Sequence, residues 1–425
     1  MKTPPRIRQR GVASLIVVMV LLFVVAMVAA YTSRNLIFEQ RTSANQYRST
    51  QALEAAEAGL EWAITLLNQG RIDANCAAST NTADTTFRQR YVTIDRNTGL
   101  VSIPSGAGSP VATSAYPTCV WTGSAWSCSC PTNTTPTLAA PTDGLIHPAF
   151  RVRFLTDTKT QSRPGLMRVE VNGCTALNET CLQFPTAAGV VEEGRAKVNA
   201  LVVLTGGLPA PPKAAVTALG DVNVPGLTVY NTDPSTGVAV QSGGAISVGT
   251  TVGPPGSMSA AVLPNDPGLQ SPMTAARMVY ALFNMYPDTY RLQPAAVVLS
   301  CGGTPCTASA LRSAASLNPG RVFWVDGDLD LDSAGAIGTS TDPAMVYVNG
   351  NVTISNGSVT LNGVIFSNAA TWSLSGSGTV VGAIVAANGL SGSSTGTVVY
   401  DAGIVANLRY ASGSFVRVPG GWKDF

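Results

Sequence analysis

The feature that most constrains the fold is an uncharged apolar segment near the start of the chain. It follows the basic stretch MKTPPRIRQRG, which contains four Lys or Arg residues and no acidic residue. From Gly11 to Ser33 there is no charge, and Val12–Ala30 is mostly Val, Leu, Met, Phe and Ala. As a helix, Val12–Ala30 would span roughly 29 Å, close to the hydrocarbon thickness of a bilayer. The basic flank predicts a cytoplasmic start, with everything after Tyr31 outside the cytoplasm.

Three fates of this segment are compatible with its sequence. A signal peptide would be cut after Ala30, but the apolar run is longer than the roughly 7–15 residues typical of such peptides. A simple membrane anchor would keep all of its residues. Cleavage directly after Gly11 would remove only the basic leader, residues 1–11, and would leave the apolar segment at the new N-terminus.

The next segment, Tyr31–Asn68, is predicted to continue the same helix out of the membrane. It contains no proline, and its only glycine, Gly59, lies near its end. We expect a transmembrane and stalk helix over residues 12–70, roughly 85 Å long, with its apolar half packed on other subunits. Five apolar residues recur with helical spacing and predict the side that packs on the rest of the protein, which we call the head: Leu53, Ala56, Leu60, Ala63 and Leu67.

The order of these features resembles a known family. A basic leader, Gly11, the run VASLIVVMVLL and then SRNLIFEQRTSANQYRSTQALEAAEAGLEWA are similar to the N-terminus of PilX-type minor pilins of type IV pili, with a class III prepilin-like start. The resemblance covers about residues 8–68. It implies cleavage by a prepilin peptidase between Gly11 and Val12, N-methylation of Val12, and pilus assembly with other pilins through the N-terminal helix.

The same resemblance implies a location and partners. The chain would cross the bacterial inner membrane once, with its C-terminus outside the cytoplasm, and would then move to the periplasm and the pilus on the cell surface. Its expected partners are other pilins, the inner membrane and the prepilin peptidase. A tip adhesin or a host surface would be a further partner if the head serves in cell adhesion.

Two residues depart from the pattern of this family. Mature pilins usually begin with Phe, whereas this one would begin with Val12. They usually carry Glu at the fifth mature position, where this chain has Ile16, and its first acidic residue after the leader is Glu39. A buried amine without a carboxylate partner is costly. We therefore expect the subunit at the filament tip, with a type II secretion minor pseudopilin, which also lacks this Glu, as the alternative.

Eight cysteines predict disulfides in an oxidising compartment. Cys174 and Cys181 flank a short loop, and Cys301 and Cys306 flank the tight segment GGTP, so each pair is expected to form a local disulfide. Four others are expected to pair among themselves, with the first tying the helix end to the loop at 119–130, although three pairings remain open: Cys76, Cys119, Cys128 and Cys130.

The chain between the stalk and a Gly/Pro-rich linker at 204–215 is predicted to form two regions. Residues 71–148 are rich in Thr, Ser, Ala and Pro, which indicates a loop-rich insertion tied by disulfides. Residues 149–208 contain alternating apolar and polar residues at 150–155, 166–171 and 195–204. These three runs predict a small antiparallel sheet that packs on the stalk helix.

After the linker, a short motif repeats. VFWVDGD, VYVNGN, VIFSNA, AIVAAN and GIVANL begin at 322, 346, 364, 383 and 403, in steps of about 24, 18, 19 and 20 residues. Because one such run cannot bury its apolar side alone, the repeat predicts a stacked, solenoid-like β domain over 216–425. A β-sandwich is the alternative. We expect a helical insertion over 270–318 and a final segment, VPGGWKDF, that caps the last edge strand. The predicted fold class is α+β, mostly β.

Composition and charge exclude several functions. A formal net charge of +2 with 26 Lys and Arg against 24 acidic residues does not suit a nucleic-acid binder. A single histidine, His147, argues against His-based metal sites and general-base catalysis. Gly-rich segments such as SGSGTVVG and SGSSTG lack a P-loop Lys and the strand–helix context that phosphate binding needs. We therefore expect a protein that is not an enzyme and has no cofactor.

One acidic run, VDGDLDLD, is a candidate for further chemistry. If it lies on one strand, its four carboxylates share a face, since side chains alternate: Asp326, Asp328, Asp330 and Asp332. Such a row could be a solvated outer face of the solenoid, a calcium site, or the paired acids of a membrane-anchored β-helix enzyme acting on polysaccharide. The solvated face is the interpretation we favour.

Overall fold

The computed structural model describes residues 11–104, 115–132, 137–156, 160, 162–184, 194–255, 261–355, 357–368 and 371–424. The predicted leader therefore lies outside the described residues, except for Gly11. In this part of the chain the helices are α1 (Gly11–Leu67), α2 (Phe87–Tyr91), α3 (Glu179–Leu182), α4 (Ala275–Phe283), α5 (Pro287–Arg291), α6 (Ala308–Leu317) and α7 (Ala402–Tyr410).

The strands fall into two sheets and one isolated hairpin. The strands up to the linker are β1 (Thr93–Ile94), β2 (Val101–Ser102), β3 (Thr118–Trp121), β4 (Trp126–Ser129), β5 (Ala149–Leu155), β6 (Leu166–Cys174) and β7 (Arg195–Gly206). The strands after it are β8 (Ala214–Ala218), β9 (Val222–Tyr230), β10 (Val238–Ser242), β11 (Ile246–Val252), β12 (Ala261–Leu263), β13 (Ala296–Leu299), β14 (Cys306–Thr307), β15 (Val322–Val325), β16 (Leu329–Asp330), β17 (Gly335–Ile337), β18 (Ala344–Val348), β19 (Val352–Ile354), β20 (Val359–Ser367), β21 (Thr371–Leu374), β22 (Thr379–Ala386), β23 (Gly389–Gly392), β24 (Thr397–Val399) and β25 (Gly413–Asp424).

The first sheet is antiparallel and packs on the stalk. Its strand order is β25-β7-β6-β5-β3-β4, so the three strands predicted from alternation lie side by side at its centre. The predicted apolar stripe of α1 packs on this sheet, with Ala56, Leu60, Ala63 and Leu67 fully buried and Leu53 partly buried. The first core therefore has two layers, the helix α1 and the antiparallel sheet, and each layer follows from the apolar spacing of its own residues.

The second sheet is a parallel, three-faced solenoid, which confirms the predicted class. Successive rungs pair in register, with Phe323 opposite Val346, Val346 opposite Ile365, and Ile365 opposite Ile384. These partners are 23, 19 and 19 residues apart, close to the predicted steps. Val, Ile, Leu and aromatic side chains of the rungs fill one continuous core.

The rungs do not follow one another in chain order. The chain enters at β8 and β9, moves outward to β12, and is then carried by α4 and α5 to β13 at the opposite end. From there the rungs return until β22, β23 and β24 pair in parallel with β8 and β9. The solenoid is therefore built from two chain segments, 214–263 and 296–399. The crossing helices cover an aromatic stack of Trp324, Tyr347 and Phe366, against which Phe283 packs.

Three predictions about this half of the chain are wrong in detail. GIVANL forms α7 instead of a strand, because Asp401 caps a helix there by accepting a hydrogen bond from the Ile404 amide. The segment containing VPGGWKDF is no solenoid cap, since β25 pairs with β7 of the antiparallel sheet. The expected insertion at 270–318 is not wholly helical, because β13 and β14 within it form a rung of the solenoid.

Candidate functional site

The N-terminal half of α1 stands free of the head. All residues from Ser14 to Thr50 are exposed, including large apolar side chains such as Leu22 at 69% and Phe23 at 61%. Among the described residues, α1 is the one helix long and apolar enough to cross a membrane. Such a surface is unstable in water and requires either lipid or another apolar surface to cover it.

The segment beyond the apolar run is polar but equally uncovered. Three hydroxyl groups, those of Thr32, Thr42 and Thr50, donate to backbone carbonyls one helical turn earlier and so need no outside partner. Leu36 and Phe38 expose 58% and 71% of their surface on this part of the helix. From Ser14 to Thr50 the free helix is roughly 55 Å long, which gives ample surface for contact with neighbouring helices.

Two glycines let the sheet approach the anchored half of α1 closely. A Cβ atom at Gly173 would lie 2.2 Å from the Ala52 carbonyl oxygen, and one at Gly59 would lie 2.6 Å from the Phe150 ring. Real side-chain contacts are never this short, so both positions depend on the absence of a side chain. The stalk is thereby seated against β5 and β6.

The end of α1 is fixed by the side chain of Asn68, which bonds to the backbone of β25 as a neighbouring strand would. Asn68 is buried, and its Nδ2 donates to the Ile64 carbonyl at 2.9 Å and to the Phe415 carbonyl at 2.8 Å. Its Oδ1 accepts from the Phe415 amide at 2.7 Å. The helix α1 thus ends at Leu67, three residues short of the predicted end at residue 70, and Asn68 pairs with the outer edge of β25.

Arg88 joins the helix end to β25 and to the turn that precedes β15. Its guanidinium donates to the carbonyls of Leu67 at 3.0 Å, Gly413 at 2.7 Å and Gly320 at 3.0 Å. Burial and repulsion from Arg321 lower the pKa of Arg88 to about 9. A cation is favourable at a helix C-terminus, where carbonyls lack internal partners. Sequence reasoning missed Asn68 and Arg88, because no local pattern distinguishes them from surface residues.

The predicted processing residues lie at the free end of α1. Gly11 and Val12 are the first two residues that the structure describes, and both lie in α1. Ile16, at the position where a carboxylate is usual, exposes 56% of its surface. Glu39 is far along the free helix, roughly 35 Å from Ile16. The helix therefore offers no carboxylate of its own near the proposed new N-terminus.

All eight cysteines form disulfides in the structure. Cys174 pairs with Cys181 and Cys301 with Cys306, as expected for the two short loops. The other four cysteines, whose pairing the sequence left open, form Cys76–Cys130 and Cys119–Cys128. The first of these two bonds links the segment after the helix end to the end of β4, and the second crosses the β3–β4 hairpin.

The acidic run does not form one row. The strand β15 ends at Val325 and Gly327 takes a φ of +126°, so the run turns a corner instead of continuing as one strand. Asp326 pairs with Arg291 at 2.9 Å, and Asp328 accepts from the Asn351 amide at 2.7 Å. The other two carboxylates accept separate bonds, from Ser355 to Asp330 and from the Ala308 amide to Asp332. The described residues contain no group of three His, Cys, Asp or Glu side chains that could hold a metal ion.

His147 holds a loop. Its ring is buried, with Nδ1 2.8 Å from the Trp121 carbonyl oxygen and Nε2 2.7 Å from Asp143 Oδ1. The bond with Asp143 raises the pKa of His147. The loop between them exposes Leu145 at 71%. These contacts use both ring nitrogens of His147 and hold the 143–147 loop in place.

Comparisons with known proteins identify the N-terminal segment. Residues 10–61 match the family model described as PilX N-terminal, which covers about one eighth of the chain and confirms the predicted resemblance there. The crystal structure of the competence-associated pilin ComZ from Thermus thermophilus is similar at 11% identity, covering 89% of this chain and 98% of that chain. Its TM-score is 0.21, too low to support an argument about shared architecture. No curated protein matches the chain. The chain therefore begins with a type IV pilin-like segment.

Proposed function

We propose that the protein is a minor pilin that takes part in type IV pilus assembly. The observation that carries this proposal is the division of α1 into a free apolar half and a half packed in the head. The free half suits first the inner membrane and then the helices of other pilins, because both offer apolar surroundings. The match over residues 10–61 supports the same conclusion.

Maturation would occur at Gly11 and Val12. Prepilin peptidase would cut between them on the cytoplasmic side, and the new Val12 amine would be methylated. Because the apolar segment lies entirely after Gly11, cleavage there would leave all of it on the mature protein. The head would then remain outside the cytoplasm, where its four disulfides are stable.

N-terminal mass spectrometry of the protein extracted from membranes tests this proposal. A methylated Val12 start supports it, whereas a Tyr31 start or an intact Met1 start contradicts it. Gly11→Leu is the informative variant, since a side chain at the cleavage position should block processing and leave Met1. Gly70→Leu is not a suitable control, because its Cβ would collide with Asn318. Gly268→Leu serves instead, since its φ is not positive and its Cβ would meet nothing nearer than the Asp266 carboxylate at 3.2 Å.

We place the subunit at or near the filament tip. A shaft subunit with a usual Glu near its N-terminus neutralises the amine of a neighbour, and Ile16 cannot do this. The Ile16→Glu variant tests the position. If the variant enters the shaft, measured by labelling along filaments in electron microscopy, the tip proposal is supported. Labelling that stays at the tip in both forms would count against the role of Ile16.

The head would have a structural or adhesive role instead of a catalytic one. In the described residues, the aspartates considered for catalysis are bound to different partners and do not face each other as a pair. A solenoid displayed at the end of a long helix is well placed to contact a tip adhesin or a host surface. Adhesion of cells carrying the Asn68→Leu variant, discussed below, would show whether a stably seated head is required.

A further inference from the structure

A cleft of about 710 Å³ lies where the end of α1, the loop after it and the solenoid meet. Ile64 and Leu317 form apolar parts of its wall. Its volume falls within the range of roughly 300–1,000 Å³ typical of small-ligand sites. Ile64 is roughly 50 Å along the helix from Tyr31, so the cleft is remote from the membrane-spanning segment.

Two arginines line this cleft without a carboxylate partner. Arg71 donates through Nε to the Ser316 carbonyl at 2.7 Å and through Nη1 to the Asp84 carbonyl. Arg321 donates to the Ala295 carbonyl at 3.2 Å, among other bonds to uncharged oxygens. In the described chain neither forms an ion pair, and the carboxylate of Asp84 accepts the Ser79 hydroxyl at 2.5 Å instead.

Carbonyl acceptors bind most of these donors but do not neutralise their charge. Arg88 is repelled by Arg321, which contributes, after burial, to the lowered pKa of Arg88. Burial also lowers the pKa of Arg321 itself. The partial negative charge of the α1 C-terminus opposes only part of this field, because Arg88 already binds the Leu67 carbonyl. The cleft therefore retains a positive potential that an anion would relieve.

The remaining polar lining suits a ligand with many hydroxyl groups. Thr65, Gln69, Ser79, Thr80 and Asn318 all border the cleft. Within the described structure, the Gln69 and Thr80 side chains make no hydrogen bond and so remain available. Amide and hydroxyl groups can both donate to and accept from sugar hydroxyls.

We propose that this cleft binds an acidic saccharide, whose carboxylate pairs with Arg71 and Arg321 while its hydroxyls bond to Gln69 and Thr80. The guanidinium is planar and matches a carboxylate with two parallel hydrogen bonds, and Arg71 Nη2 donates no hydrogen bond within the described chain. This inference concerns the head alone and does not depend on assembly into a filament.

The test uses the full-length protein in detergent micelles and isothermal titration calorimetry. The probes are a disaccharide with one glucuronate unit and the neutral disaccharide with glucose in its place. The acidic probe should bind at least about tenfold more tightly, and added salt should weaken it. Arg71→Gln should weaken binding about 10- to 100-fold, since a charge-assisted bond is lost. Arg277→Gln, at an exposed arginine outside the cleft, should change nothing.

A second variant separates binding from folding. Ala78 borders the cleft and is exposed, so Ala78→Trp should fill it and abolish binding while both arginines stay in place. Equal binding of the two disaccharides, equally tight binding of inorganic phosphate, or unchanged binding by folded Ala78→Trp would each overturn the inference. A chain that starts at Val12 but does not bind refutes only this inference. A chain that binds but starts at Met1 refutes only the minor-pilin proposal.

Discussion

Replacement of Asn68 by leucine should loosen the last strand of the head. Asn68 bonds both the amide and the carbonyl of Phe415, on the edge of β25 that faces away from β7. Leucine has nearly the same size but neither a donor nor an acceptor. Both Phe415 groups, which belong to a fully buried residue, would lose these partners without water to replace them.

The expected loss of stability follows from the bonds that are removed. A buried polar group left unpaired costs about 1–3 kcal/mol, and leucine returns about 1 kcal/mol through apolar burial. For two groups we expect a net decrease of about 3 kcal/mol in the free energy of unfolding. With an unfolding entropy of roughly 2.1 cal/mol/K per residue over about 350 head residues, the melting temperature should fall by about 4 °C.

Thermal unfolding in detergent, followed by circular dichroism, measures this change. Hydrogen exchange should also become faster in Gly413–Asp424 and stay unchanged in Leu166–Cys174. Asn45→Leu, at an exposed position of the same helix, is the matched control and should cost less than about 0.5 kcal/mol. A melting temperature within about 1 °C of the native value, together with unchanged exchange in β25, would refute the reasoning.

Three further predictions concern the stalk and its surroundings. Gly173→Ala should lower the free energy of unfolding by about 1–3 kcal/mol in urea titrations, because its Cβ would collide with the α1 backbone. Joint replacement of Cys76 and Cys130 by serine should lower it by about 4 kcal/mol, since their bond closes a 54-residue separation. The NMR titration of His147, the only histidine, should give a pKa above 6.5, and this pKa should fall in the Asp143→Asn variant. The bond between protonated His147 and Asp143 therefore stabilises the fold fully below pH 6.5, and this stabilisation is lost as the pH rises through the folded pKa.

The layers of the first core could be predicted because each depends on local spacing. The stripe ending at Leu67 has helical period, and the runs at 150–155, 166–171 and 195–204 alternate as strands do. The solenoid rungs were recognisable for a similar reason, since a repeated step of about 19 residues implies that copies stack. These signals lie within segments of one or two dozen residues.

Of the candidate site, only the exposed N-terminal half of α1 could be predicted from the sequence. An uncharged apolar run of this length is recognisable in the sequence, and the structure adds that no described part of the head covers it. The anchored end depends on Asn68, Arg88 and the arginines of the cleft, whose partners lie up to 347 residues away. A single Asn or Arg carries no sequence signal of such a distant contact.

The apolar helix, its amphipathic continuation and the repeating β units can all be recognised in the sequence, because hydrophobic period is a local property of the chain. Three features are visible only in the folded protein: β8 and β9 join β22–β24, β25 leaves the solenoid for the antiparallel sheet, and the acidic run turns a corner at Gly327. Short Val- and Ile-rich strands have nearly interchangeable edges. Their neighbours are therefore selected by the packing of the whole core and by the helices that carry the chain between its two ends.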